Sequence, residues 1–333
     1  MKKFLAILMA ILMVLSMATV AFADVGTGDG KTTPTSVTLA KVVTVSEGAT
    51  MPAETFTFKV ENVSVSEAAS GVTKDNMPTP SVDSVSYAKG ESGAKDLTIN
   101  YPSYTSVGKY TYKITENAGV TPGMTYDTNS RQLKVTVTNG ANGGFEVKGT
   151  VLEDTDNKKS DSFQNKYEAG KLEIKKFVSG DLGDQSKFFD FTVTLKSSKA
   201  VSESLVKNGN EDVQWVIKDG EYVATVSIKL KHGDTATITN IPYTVAYTVV
   251  ENGTTNTAAE GETPVYKNSD YTVTMTNESG TIKALVTTAT FNNNKEGDIE
   301  TGVSLDTLPY VLVLALAGAG LVLMIARKRR VQD

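Results

Sequence analysis

The sequence predicts an all-β chain built as two tandem β-sandwiches, and three observations carry that reading. Short runs rich in Val, Thr, Ile and Tyr alternate apolar and polar residues with period two, the pattern of strands with one buried face. Turn residues recur at short spacing between these runs, as a sandwich requires. At Glu168-Ala169-Gly170 the pattern restarts, leaving two stretches that are each large enough to bury a core.

Taken in order, the chain opens with Lys2-Lys3, an apolar stretch from Phe4 to Val20, and Ala21-Phe22-Ala23 before Asp24. These are the basic, apolar and small-residue regions of a secretory signal peptide over 1–23, so export is expected. Residues 24–35, with Gly26, Gly28, Gly30 and Pro34, read as a flexible leader. The first sandwich is expected over 36–167. Its first strand covers 36–43; Phe56, Phe58 and Val60 fall on one strand face, and Tyr110, Tyr112 and Ile114 on another. Leu133, Val135 and Val137 precede Asn139-Gly140-Ala141-Asn142-Gly143-Gly144, and Phe145 and Val147 follow it, which is a hairpin signal. The second sandwich is expected over 168–297. Leu172, Ile174 and Lys176 alternate, as do Phe189, Phe191 and Val193, with further strands over 222–230, 243–249, 271–275 and 282–291. Residues 201–208 read as a helical turn or two. Val213, Trp215 and Ile217 share a strand face, making Trp215 a core residue.

The tail carries an uncharged apolar run over 308–326 followed by Arg327-Lys328-Arg329-Arg330. As a helix it can cross a bilayer core of roughly 30 Å, with the basic cluster kept on the cytoplasmic side; the membrane anchor is placed at 303–333. Removing 1–23 and 302–333 takes away six basic and two acidic residues and moves the formal charge from −5 to −9. An acidic exported body lacks the basic footprint of a nucleic-acid binder and suits a solvated surface protein. The absence of cysteine excludes disulfides and thiolate metal sites, so another staple is worth seeking. The one histidine, His232, lies in Lys231-His232-Gly233-Asp234, read as a hairpin turn, and a Ser-His-Asp triad would have to use it. The stretch Glu153-Asp154-Thr155-Asp156-Asn157-Lys158-Lys159 begins like a calcium loop. Lys158 and Lys159 stand where a ligand and a glycine are required, which removes the metal reading. No nucleophile, metal or cofactor motif assembles, so neither an enzyme nor a cofactor is expected.

Both stretches place polar residues where a β core would not ordinarily accept them. Lys41 shares a face with Val37 and Leu39, and Lys176 shares one with Leu172 and Ile174. Tyr112-Lys113-Ile114-Thr115-Glu116 matches Tyr247-Thr248-Val249-Val250-Glu251, and Phe163-Gln164-Asn165 matches Phe291-Asn292-Asn293. The lysine-to-glutamate interval is 75 in both; the glutamate-to-asparagine interval is 49 in one and 42 in the other, a difference that loops absorb. Alternation puts Lys175 on the outer face. The Phe-x-Asn spacing selects Asn293 over Asn292 and Asn294. Snorkelling lysines at strand ends would be the ordinary account, but repetition of all three residue types argues against it. Burial pushes such a lysine towards the neutral amine and such a glutamate towards the neutral acid. The amine can then attack the asparagine carbonyl while the acid hydrogen-bonds to that oxygen and moves protons as ammonia leaves. The product would be an amide joining first strand to last.

These residues, with Lys176-Phe177-Val178-Ser179-Gly180-Asp181-Leu182-Gly183-Asp184 and Lys187-Phe188-Phe189-Asp190-Phe191, resemble the isopeptide-linkage domains of streptococcal pilins. The resemblance covers about 36–302 and is stronger in the second stretch, since no Gly-Asp motif follows Lys41. It implies two immunoglobulin-like sandwiches of the pilin type, with Lys41 bonded to Asn165 beside Glu116 and Lys176 to Asn293 beside Glu251. It also implies a pilus subunit on the Gram-positive surface. Thr301-Gly302, ahead of the anchor, resembles the site at which a sortase cuts surface proteins and joins the threonine to an amine. Asp298 and Ile299 stand where the commonest signal has leucine and proline, a departure that bears on which sortase acts. The partners implied are sortase, other pilin subunits and peptidoglycan. Pilus subunits also need an acceptor lysine; Lys158 and Lys159 are candidates, though a solvated loop accounts for either alone equally well. A monomeric wall-anchored adhesin or minor pilin, holding a host surface ligand in its loops, is the alternative.

Overall fold

The computed structural model describes residues 34–140 and 143–297. The expected signal peptide, sorting motif and anchor lie outside the described residues, as does the leader up to residue 33. Among the described residues there is no helix, and none long and apolar enough to cross a membrane. The structure is all-β.

Residues before 168 form two larger sheets and a ribbon. One sheet has the order Ser81–Val82, Gly93–Asn100, Ser36–Val45, Ser162–Tyr167, Met124–Thr125; the other runs Phe145–Glu153, Arg131–Asn139, Gly108–Glu116, Phe58–Ser66. The ribbon pairs Glu54–Phe56 with Val85–Tyr87. The two larger sheets face each other, with the rings of Phe58 and Phe163 5.1 Å apart across the core. The alternation dictates this arrangement, because Tyr110, Tyr112 and Ile114 from one sheet and Leu39, Leu97 and Ile99 from the other are all buried, as inward residues of a strand must be.

Residues after 168 repeat the plan. An eight-stranded sheet has Ala169–Ser179 between Thr235–Pro242 and Val286–Asn294. A five-stranded sheet has Phe189–Ser197 between Glu221–Leu230 and Ala246–Glu251. Phe191 and Phe291 meet edge-on at 5.1 Å across this second core.

In each unit the first and last strands are parallel neighbours. Lys41 pairs with Phe163 and Val43 with Asn165; Lys176 pairs with Phe291 and Val178 with Asn293. The register is therefore the same twice over. The glutamates end strands of the facing sheets, Gly108–Glu116 and Ala246–Glu251. One residue, Glu168, separates the last strand of the first unit from the first strand of the second. The units meet where the Asn240 carboxamide brackets Thr50, accepting its N–H at 2.8 Å and donating to its carbonyl at 2.9 Å. Lys89 Nζ also donates to the Ser204 carbonyl at 2.7 Å.

Four local readings of the sequence are corrected. Phe56 and Phe58 do not share a strand: Phe56 closes the ribbon and Phe58 opens the facing sheet, so the chain changes sheets at Thr57. Residues 201–208 are a loop ending in the short strand Lys207–Asn208; its buried Val201, Leu205 and Val206 mimic helical spacing. Trp215 packs against the core, but Ile217, two residues on, is exposed, because it lies beside the turn at Asp219-Gly220 beyond the edge of the core. The turn holding His232 is not a hairpin turn. It links strands of different sheets, Glu221–Leu230 and Thr235–Pro242, and His232 Nδ1 accepts the Val178 N–H at 3.0 Å.

Candidate functional site

Strand alternation and the shared register bring three polar side chains into each apolar core. Lys41, Glu116 and Asn165 are buried in the first unit, and Lys176, Glu251 and Asn293 in the second. Lys41 Nζ donates to Glu116 Oε2 at 2.7 Å, and Asn165 Nδ2 to Glu116 Oε1 at 2.5 Å. The second unit reproduces both contacts, 2.8 Å from Lys176 to Glu251 Oε2 and 2.6 Å from Asn293 to Oε1. Each carboxylate thus holds the amine on one oxygen and the carboxamide on the other. Lys175, by contrast, points outward beside Glu173, and Asn292 and Asn294 both hydrogen-bond Ser179 Oγ.

Aromatic rings seal the amines from water. Lys41 Nζ lies 4.5 Å from the Phe56 ring centroid, and Lys176 Nζ lies 4.1 Å from that of Phe189. Burial holds both lysines below the ordinary lysine value, against the opposing effect of the hydrogen bond each donates to its glutamate. Burial pushes the Glu116 carboxyl up, against the opposing hydrogen bonds from Lys41 and Asn165. In the first unit both shifts favour the neutral amine and the neutral acid, the pair that nucleophilic attack on an amide requires.

One expected contact is corrected. The glutamates face the nitrogen of each carboxamide, not its oxygen. The orientation of Asn165 is fixed by its other side, where Oδ1 accepts the main-chain N–H of Asp127 at 2.9 Å; only the oxygen can accept there. Asp127 is itself anchored. Its Oδ2 accepts from Arg131 Nη2 at 2.8 Å and from the Gln164 N–H at 3.0 Å, and Arg131 also donates to the Ser162 carbonyl. The second unit is built differently. There Asn293 Oδ1 is buried and meets no donor among the described residues, while Asn268 Nδ2 joins Asn293 on Glu251 Oε1 at 2.6 Å.

Asp127, Arg131 and Asn268 were not singled out by the sequence. Arg131 carried a signal, since it shares the period-two face of Leu133, Val135 and Val137. Asp127 and Asn268 carried none. Lys158 and Lys159 are exposed on a turn in which Asp154 Oδ1 accepts the N–H groups of Asp156 and Lys158, 2.9 Å each. Thr301 and Gly302 lie outside the described residues.

Comparison with known proteins places the chain. A "Pilin" of Streptococcus pyogenes serotype M1 is 30% identical over 305 residues, 85% of this chain and 88% of that protein. The chain belongs to the streptococcal pilin family. The model of the Spy0128-like isopeptide containing domain matches 37–168 of this pilin-family chain, and that of a domain of unknown function (DUF7601) matches 170–295. The crystal structure of the major pilin from Streptococcus pyogenes is similar at 25% identity, covering 80% of this chain and all of that one with a TM-score of 0.54. The major pilin protein T3.2 of the same species shares the fold at 24% identity, covering 79% and 99%, with a TM-score of 0.50.

Proposed function

We propose that the chain is a structural subunit of a Gram-positive surface pilus, made of two immunoglobulin-like sandwiches that each tie their first strand to their last. The ties are isopeptide bonds, Lys41 to Asn165 promoted by Glu116 and Lys176 to Asn293 promoted by Glu251. The observation that carries this is the buried Lys-Glu-Asn contact made twice in the same register. A single buried ion pair is weak support for anything. Two such contacts in the same register, each with a carboxamide on the second carboxylate oxygen, support a reaction rather than a chance pairing.

Atoms balance as follows. Nζ of the neutral lysine attacks Cγ of the asparagine and the Nζ–Cγ bond forms. The glutamic acid gives its proton to Nδ2 and receives one from Nζ, ending as it began. The Cγ–Nδ2 bond breaks and ammonia leaves. Glutamate on the nitrogen side of the amide is suited to this task, because the leaving nitrogen must be protonated. The reaction happens once per unit, so the protein is no turnover enzyme.

Assembly follows from the termini. The signal peptide exports the chain, sortase cuts between Thr301 and Gly302, and the threonine is joined to a lysine of the next subunit, Lys158 or Lys159, or to peptidoglycan. The test is the intact mass of purified residues 24–301. A deficit of two ammonias, with peptide mapping at Lys41-Asn165 and Lys176-Asn293, is expected; a mass equal to that of the sequence would sink the proposal.

A further inference from the structure

Resting on that proposed reaction, one residue beyond the Lys-Glu-Asn set has a place in it. Attack on Cγ converts the Asn165 carbonyl oxygen to an oxyanion, and a donor already aimed at that oxygen lowers the barrier. Glu116 is on the nitrogen side of the amide and is committed to proton transfer. The main-chain N–H of Asp127 is on the oxygen side at 2.9 Å. We propose that this N–H is the oxyanion donor of the first unit and that the buried Asp127–Arg131 pair is the device that positions it.

The device is over-determined. Side chains of both residues are more than nine-tenths buried. Asp127 Oδ2 accepts from Arg131 and from the N–H of Gln164, which immediately precedes Asn165. Asp127 Oδ1 caps the Asn129 N–H at 2.9 Å. Arg131 is clamped in turn, with Nε and Nη2 on the Ser162 carbonyl at 3.0 and 2.6 Å and its guanidinium 4.6 Å from the Phe163 ring centroid. The 126–130 loop is thereby tied to the strand that carries Asn165, so donor and target move together. A buried ion pair that served stability alone would be replaceable by apolar residues at little cost. This one fixes a main-chain donor on the reacting oxygen, and the second unit, whose Asn293 Oδ1 meets no donor among the described residues, supplies the control.

The experiment follows each bond separately in the full chain made by cell-free synthesis, with samples quenched in denaturant, digested and read by mass spectrometry. Asp127→Pro removes the N–H; the Lys41-Asn165 bond is expected to form about 100-fold more slowly, with Lys176-Asn293 unchanged. Asp127→Ala keeps the N–H but frees the loop, and should slow the first bond by at least about tenfold. Asp127→Asn, which retains the shape and an acceptor for Arg131, should recover most of that loss. Hydrogen exchange of the first unit separates a slow reaction from a failed fold, and Asp127→Ala carries the test if Asp127→Pro does not fold. A first bond formed at the wild-type rate in Asp127→Ala and Asp127→Pro would overturn the inference while leaving the proposed reaction standing. Wild-type protein that loses no ammonia from either unit would overturn the reaction, and the inference with it.

Discussion

A lysine amine sealed between a carboxylate and a phenylalanine ring can stay charged only at a cost, since the low dielectric around it disfavours ions. In the first unit the carboxylate is under the same pressure, so one proton shared by the pair suffices. In the proposed reaction that form, neutral amine and protonated acid, is the reactive one. Adding a second proton charges Lys41 and blocks attack; removing the last leaves Glu116 with nothing to give the leaving nitrogen. Because burial lowers the lysine and raises the glutamate, the rate of the first bond should plateau at intermediate pH. It should fall on the acid side through the lowered lysine and on the alkaline side through the raised glutamate. The two limbs belong to the pair rather than to either residue. Ammonia loss followed against pH in freshly synthesised chain checks this, and a rate that keeps rising with pH would leave Glu116 without a proton-transfer role. Glu116→Ala should abolish the first bond only, halving the mass deficit. The proposed bond would close a loop of more than a hundred residues, and by analogy with a disulfide its loss would cost about 5 kcal/mol. Calorimetry should then find the first unit melting roughly 20 °C lower.

The strands, not the side chains, decide where those groups meet. In a strand the side-chain period is two, so a slip of one residue would send Lys41 or Lys176 to the outer face, as the half-buried, outward neighbour Lys175 illustrates. Beyond Lys176 the strand closes at Gly180, with φ of +86° and a hypothetical Cβ only 2.3 Å from the Lys295 carbonyl oxygen. The Leu182 N–H bonds that same carbonyl at 3.0 Å, so the Gly-Asp motif fastens the turn after the first strand to the end of the last. Gly180→Ala should destabilise the second unit by about 2 kcal/mol, measurable by denaturant unfolding of a Glu251→Ala background in which no cross-link masks the loss. This motif and the alternation were legible in the sequence, as were the inward faces of the strands bearing Lys41, Lys176, Asn165 and Asn293, because each depends on local pattern. What was not legible depends on tertiary placement. The strand Thr235–Pro242 pairs with Ala169–Ser179, a placement that local pattern does not carry, because His232 and its neighbours read as a return within one sheet. Asp127 lies in a polar loop like any solvated one, and only the fold shows that its N–H reaches Asn165.

At the scale of the whole molecule, parallel pairing of first and last strands determines how the chain carries tension. The chain enters each unit along one strand and leaves along its parallel neighbour, so pulling on the ends loads that pair in shear. With both bonds in place, force passes from Lys41 directly to Asn165, across Tyr167-Glu168-Ala169, and from Lys176 to Asn293. Everything between the bonded residues is bypassed. The reciprocal bonds between Asn240 and Thr50 tie the two units to each other outside this path. Single-molecule stretching of the cross-linked chain should therefore show no unfolding step from either unit before the covalent path itself fails. In Glu116→Ala the first unit should unfold and release its enclosed segment, about 400 Å of extended chain, while the second stays closed. In Glu251→Ala the order should reverse. Equal extension of the wild-type and variant chains would mean that load runs through the strand ladders instead, and the two buried constellations would then have no mechanical part in the subunit.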